Sequence, residues 1–360
     1  MKYKKFLSCV ALVTIWCVSG VATLWAAAAL YFDVRVTGLR LPLAAIYGLG
    51  MLAVWIFVRR PWKMVVTGVG FVVVVTWWFS LQPSNNRDWL PDVAALPYAD
   101  IAGNQANIHN IRNCDYRTET DFDVHYYDKT FDLDKLRSVD LYLVTWGSPH
   151  IAHTMVSFGF EGGDYVCFSI ETRKEKGEDY SAVKGLFRQF ELTYIVADER
   201  DLVRLRTNYR PGEEAFLYRL QVTPEQGREL FRDYLRRANE LHQRAEWYNA
   251  LTDNCTTAIR TQRAAADRAP WDWRMLLNGH LDELLYERGT IATNLPFAEL
   301  KQRSHINARA KAADKAEDFS QQIRSGLPGF GEESPGTRHK VNRTSNHPLT
   351  ENDHEKPFNT

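Results

Sequence analysis

Three apolar stretches near the N-terminus constrain this chain more than any other feature. From Phe6 to Phe32 there is no charged residue, a run longer than the roughly 20 apolar residues a helix needs to cross a bilayer. A second stretch runs from Leu41 to Val58 and a third from Met64 to Leu81. Gly48, Gly50, Gly68 and Gly70 within them suit close packing between membrane helices. Residues 1–81 therefore read as a membrane anchor of three transmembrane helices. The competing reading of the first stretch is a cleaved signal peptide. The small residues Ala26 to Ala29 are followed by two further apolar segments, which favours an uncleaved anchor. Lys2, Lys4 and Lys5 precede the first span, and Arg59, Arg60 and Lys63 separate the second from the third. The positive-inside bias puts both groups in the cytoplasm and everything after Leu81 outside. The expected placement is a multi-pass membrane protein with a cytoplasmic N-terminus and its C-terminal domain on the outer side. Trp62, Trp77 and Trp78 fit interfacial anchors.

The rest of the chain divides by composition. Gln82 to Ala102 is rich in Pro, Asn and Asp and reads as an irregular linker. A folded domain is expected over residues 103–303, ample for one core. From Ser304 to Thr360 the sequence is polar, with almost no apolar residue after Phe330, and reads as a disordered tail. The 44 basic and 44 acidic side chains cancel, so no broad electrostatic case for nucleic acid exists. Of five cysteines only Cys114, Cys167 and Cys255 follow the spans. A disulfide-stapled domain is thereby excluded. Pairing Cys114 with Cys167 would leave Cys255 available.

Within the domain, strands are expected at Ala106 to Arg112, Val139 to Trp146, Glu191 to Val196, Leu202 to Arg206 and Ala215 to Val222. His153 to Phe160, the turn Glu161-Gly162-Gly163-Asp164 and Tyr165 to Glu171 carry a strong β-hairpin signal. Helices are expected from about Ser181 to Phe190, from Thr223 to about His242, and over Leu276 to Glu287. Thr223-Pro224-Glu225-Gln226 has the composition of a capped helix start.

Cys255 follows Asp253 and Asn254 and opens the helix-forming run Ala258 to Arg268. In a first helical turn, unpaired N–H groups and the positive dipole end favour thiolate over thiol. A buried structural cysteine is the alternative, since free Cys packs as a small hydrophobe. A nucleophilic thiol needs a base. Of the ten histidines, His150 and His153 stand where a loop meets the hairpin strand, and His153 is the better placed. The spacing of these two also invites a zinc reading. Pro149 argues against a helix there, and no second ligand pair at zinc spacing is present, so neither a metal nor another cofactor is expected.

Histidine at a strand start, followed about a hundred residues later by Asn254-Cys255 opening a helix, resembles a circularly permuted papain-like fold of the NlpC/P60 type. Ile108 to Asn113, Ile151 to Thr154, Phe168 to Arg173, and Trp247-Tyr248-Asn249 running into Asn254 to Thr257 are together similar to the periplasmic domain family of the Lnb bacterial lipoprotein N-acyltransferase. The resemblance covers roughly Arg87 to Leu300. It implies an α+β fold: three N-terminal transmembrane helices, then a permuted papain-like domain with an antiparallel sheet and helices. It also implies a Cys–His mechanism with a thioester intermediate, acting on an acyl lipid or a lipoprotein, and a place in a bacterial inner membrane with the C-terminal domain periplasmic.

Chemistry assigns the roles within that expectation. His153 takes the proton of Cys255 and later returns it to the leaving group. Asn254 serves as helix cap or oxyanion donor. Glu171 is the candidate to orient the imidazole, and the hairpin turn decides it. A three-residue turn sets Glu171 opposite His153, whereas a two-residue turn would put Thr172 there. Otherwise Glu171 is a surface glutamate. Arg173 suits phosphate recognition or is an ordinary surface charge. Tyr248 is a core aromatic or a wall of the substrate site. The enzyme reading is an acyltransferase or hydrolase. A non-catalytic envelope module and a cell-wall amidase or peptidase are the alternatives.

Overall fold

The computed structural model describes residues 2–250, 252 and 270–331. The three apolar stretches form helices α1 (Lys2–Asp33), α2 (Thr37–Phe57) and α3 (Arg60–Ser80), each long and apolar enough to cross a membrane. Their outward-facing Val, Leu, Ile and Phe side chains are exposed, as expected of helices whose solvent is hydrocarbon.

The domain is built on a mixed sheet. Its strands are β1 (Tyr98–Ala102), β2 (Gln105–Arg112), β5 (Tyr126–Asp132), β6 (Leu136–Trp146), β7 (Ser148–Phe160), β8 (Tyr165–Arg173), β9 (Glu191–Ala197) and β10 (Glu213–Arg219). β3 (Asp115–Tyr116) and β4 (Phe122–Asp123) form a separate small ladder. The spatial order is β1-β2-β9-β8-β7-β6-β10, with β5 also pairing β2. All pairings are antiparallel except β2 with β9, which are parallel where Arg112 meets Ala197. The expected antiparallel sheet is thus mixed at one junction.

Strand period two sorts the side chains onto two faces. On one face, Leu141, Val156, Phe158, Phe168, Ile170 and Tyr194 pack against α5 (Pro224–Gln243). That helix presents Leu230, Phe231, Tyr234, Leu235, Ala238 and Leu241, the i, i+1, i+4, i+5, i+8, i+11 stripe of an amphipathic helix. Its start forms the expected capping box: Thr223 Oγ1 accepts from Gln226 N–H, and Gln226 Oε1 accepts from Thr223 N–H. The other face carries Tyr142, Val144, Met155, Ile195 and Leu217 under α4 (Glu199–Arg204) and later helices.

Several sequence expectations are corrected. Residues 181–190 form only a 3-10 turn at Lys184–Leu186, because this stretch is drawn onto the membrane helices. Phe187 stacks on Phe32 at 4.9 Å, Arg188 lies 4.1 Å over Trp78, and Gln189 Nε2 donates to Phe32 O. Leu202 to Arg206 is not a strand: α4 runs into a π-turn at Leu205–Tyr209. Short apolar runs do not distinguish the two by periodicity. The helix expected from Leu276 begins only at Leu281, as α6 (Leu281–Glu287). The linker ends in a paired strand, β1, which Asn239 grips through Ala99 N–H and C=O. Cys114 and Cys167 are not paired; both are buried free thiols.

Residues 304–331 are packed and not a tail. After α7 (Phe297–Arg303), helices α8 (Asn307–Ala312) and α9 (Phe319–Arg324) bury Ile306, Ala310, Phe319 and Ile323 against the sheet. Arg324, 4 % exposed, donates to Glu199 Oε1 at 2.6 Å and Asp140 Oδ2 at 2.9 Å. A few apolar residues at helical spacing and one arginine whose charge is met by two buried acids were enough. The rest of the expected tail, 332–360, lies outside the described residues.

Candidate functional site

β7, β8 and β9 run antiparallel, so the start of β7, the end of β8 and the start of β9 share one end of the sheet. That end faces the membrane helices. Arg87 Nη2 lies 2.5 Å from Glu191 Oε1, which also accepts from Ser84 N–H, and Trp247 Nε1 donates to Leu81 O. His153 and Glu171 sit at this same end.

The hairpin has the three-residue turn. Phe160 N–H donates to Asp164 O, leaving Glu161-Gly162-Gly163 as the loop, and Gly162 and Gly163 have φ of +91° and +87°. Two consecutive left-handed residues are open to glycine at little steric cost. The register runs Gly159 with Tyr165 through Met155 with Ser169, and two residues further it sets His153 opposite Glu171. Their side chains meet: His153 Nε2 is 3.1 Å from Glu171 Oε1 and 2.6 Å from Ser169 Oγ.

Hydrogen-bond bookkeeping fixes the proton. Ser169 Oγ donates to Glu171 Oε1 at 2.7 Å, so toward His153 it presents a lone pair, and the carboxylate is also only an acceptor. Nε2 must therefore be the donor, and a neutral ring so held keeps its basic lone pair on Nδ1. Arg206 completes the cluster: Nη2 donates to Glu171 Oε1 at 2.9 Å, and Nη1 reaches Glu213 at 3.3 Å. Burial pushes the Glu171 carboxyl up, but the charge of His153 in its protonated form, the Arg206 guanidinium, and the His153 and Ser169 hydrogen bonds outweigh it. The group is held well below the usual carboxylate range.

The start of β7 is pinned by a close approach. Asn278 Oδ1 accepts from Ala152 N–H at 2.8 Å, and a Cβ at Gly279 would lie 2.2 Å from Pro149 O. His150 points away from His153 and pairs with His280, Nδ1 to Nε2, at 2.8 Å.

The other expected site residues are placed elsewhere. Arg173 is 2 % exposed. It gives Nε to Val93 O, Nη2 to Ala94 O and Nη1 to Asn85 Oδ1, and lies 4.2 Å over Trp89. It clamps the linker onto the sheet, and burial lowers its pKa to about 10. Tyr248 is in the core on the α5 face, donating its N–H to Phe190 O. Cys255 and Asn254 lie outside the described residues. Of the other domain cysteines, burial pushes the Cys114 thiol up to about 12 and raises Cys167 well above the ordinary range. Neither supplies a thiolate near neutrality.

Sequence reasoning missed Ser169, Arg206 and Glu213. Ser169 was within reach, because it is two residues from Glu171 and so shares its face. Arg206 was hidden by the mistaken strand at 202–206.

Residues 122–279 match the family model described as the Lnb N-terminal periplasmic domain. The match bears out the resemblance read from the sequence over that segment. No curated protein and no solved structure matches the chain.

Proposed function

With residues 122–279 matching the Lnb N-terminal periplasmic domain, we propose that this chain is a membrane-anchored thiol acyltransferase or hydrolase of the bacterial cell envelope, its catalytic domain periplasmic and arranged as a permuted papain-like fold. The observation that carries the reading is the His153–Ser169–Glu171 contact, in which Nε2 acts as donor, and this supports Nδ1 as the base.

Nδ1 of His153 takes the proton of the Cys255 thiol. The thiolate attacks the carbonyl carbon of an acyl ester, and backbone N–H groups of the helical turn that the sequence leads one to expect at Cys255, or the Asn254 side chain, stabilise the oxyanion. The imidazolium protonates the departing alkoxide, leaving an acyl thioester on Cys255 and a free alcohol. An amine, as at a lipoprotein N-terminus, or a water then gives a proton to His153 and attacks the thioester. The products are an amide or a carboxylic acid, and the thiol is restored. Glu171 holds the ring and stabilises its charged form, and Arg206 keeps Glu171 ionised. The position of His153 on the membrane-facing end of the sheet supports an acyl lipid or lipoprotein as substrate.

The test is labelling of the full chain by an acyl-donating thiol-reactive lipid probe. Wild type is expected to form a hydroxylamine-sensitive adduct, Cys255→Ser none, and His153→Ala one about 10²–10⁴-fold slower. Equal labelling of wild type and Cys255→Ser, with both folded, would remove the enzyme reading and leave the non-catalytic envelope module.

A further inference from the structure

A cavity of about 430 Å³ lies where the membrane helices meet the domain, within the size range of small-molecule sites. Its floor is the domain-side end of the bundle: Asp33 closes α1, Arg35 and Arg40 flank the start of α2, and Leu81 follows α3. Its wall is the domain, through Arg188, Glu175 and Glu178.

Arg87 is paired with Glu175, whereas the other three cations here are held mainly by backbone carbonyls, and Arg188 also feels the charge of Asp33. Arg40 Nε donates to Val34 O, Arg188 Nη1 to Leu81 O, and Arg35 makes a 3.5 Å contact with Gln82 O. Among the described residues none of these three is ion-paired to a carboxylate within 4.0 Å. Asp33 is satisfied by Trp78 Nε1 at 2.7 Å and Gln189 Nε2 at 2.9 Å. Glu175 is taken by Arg87 at 2.7 Å. Among the described residues, Glu178 accepts a backbone N–H, that of Glu175, at 2.9 Å.

The geometry points to a binding site for the head group of a zwitterionic glycerophospholipid from the leaflet on the domain's side. The guanidinium groups of Arg35, Arg40 and Arg188 receive the phosphate, and the carboxyl of Glu178 receives the ammonium. The depth fits, since the cavity opens at the ends of three spanning helices, where lipid phosphates lie, while the exposed apolar flanks of those helices accommodate the acyl chains. Guanidinium recognises phosphate oxygens with two parallel N–H donors. A wall carrying both signs favours a head group that carries both. This site is independent of the proposed chemistry at Cys255.

The experiment is calorimetric titration of the full chain in detergent with dihexanoylphosphatidylethanolamine, dihexanoylphosphatidylglycerol and inorganic phosphate. It is run on wild type, Arg35→Gln/Arg40→Gln and Glu178→Gln, with thermal melting to verify folding, and repeated with Cys255→Ser to separate it from catalysis. Expected are saturable one-to-one binding of the ethanolamine lipid, a loss of about tenfold or more in the double arginine variant, and loss of preference over the glycerol lipid in Glu178→Gln. Absence of saturable binding, or unchanged affinity in the folded double variant, overturns the site. Inorganic phosphate binding as tightly as the lipid would make it a free-anion site, and a preference for the glycerol lipid would remove the ammonium assignment. Either result overturns the proposal.

Discussion

Glu171 stands opposite His153 across the hairpin, its Oε1 3.1 Å from the imidazole Nε2, with the Ser169 hydroxyl 2.6 Å from the ring and 2.7 Å from the carboxylate. The contact depends on three loop residues: one fewer would turn Glu171 to the other face. This triangle sets the tautomer of the proposed base.

Glu171→Gln is therefore expected to slow acyl transfer about 10²-fold or more, because the amide cannot stabilise the imidazolium as a carboxylate does. Ser169→Ala is expected to cost less, since Glu171 remains within reach of Nε2. Rates of thioester formation in the two variants, compared with wild type, check the order. A Ser169→Ala variant slower than Glu171→Gln would contradict the orienting role of the carboxylate.

The low pKa of Glu171 makes folding sensitive to acid in a defined direction. Near the ordinary glutamate value of 4.5, the unfolded chain binds a proton that the folded chain does not. The stabilisation is thus fully present above that value and is lost as pH falls below it. Urea midpoints of wild type and Glu171→Gln between pH 3 and 6 should converge on acidification. A constant difference across this range would count against an ionised Glu171.

Glu191 behaves oppositely. Burial raises its carboxyl to about 7, only partly offset by Arg87 and the Ser84 N–H. Between pH 4.5 and about 7 the folded state holds the proton and the unfolded state has lost it, so stability falls with rising pH by up to ~3 kcal/mol. In Glu191→Gln that slope should flatten, as measured by melting temperature against pH. An unaltered slope would show that other groups cause it.

Phe319 and Arg324 test the packed C-terminal segment. Phe319 is 0 % exposed, and Phe319→Ala should cost about 3–5 kcal/mol. Arg324→Met strips Glu199 and Asp140 of a shared partner and should cost a similar ~3–5 kcal/mol. Chemical denaturation of the purified chain measures both. Losses near zero would return residues 304–331 to the status of a tail.

Much of the fold was legible because its signals are local. The three apolar stretches have the length of a bilayer crossing, Thr223 and Gln226 cap their helix within one turn, and the alternation through His153 to Glu171 is that of paired strands. Segments whose conformation is set by distant partners were misread. Residues 181–190 have helical composition, yet Phe187 and Arg188 are spent on Phe32 and Trp78. Arg173 looked like a surface charge until the linker carbonyls of Val93 and Ala94 buried it.

For the candidate site the division is the same. The sequence determined that His153 lies on one strand of a tight hairpin and Glu171 on the other, because strand periodicity and turn glycines act over a few residues. Only the tertiary structure decided the turn length that aligns them, the π-turn that brings Arg206 to Glu171, and the seating of that end of the sheet against the membrane helices. Those outcomes rest on non-local burial and charge pairing, whose energies depend on neighbours far apart in the chain.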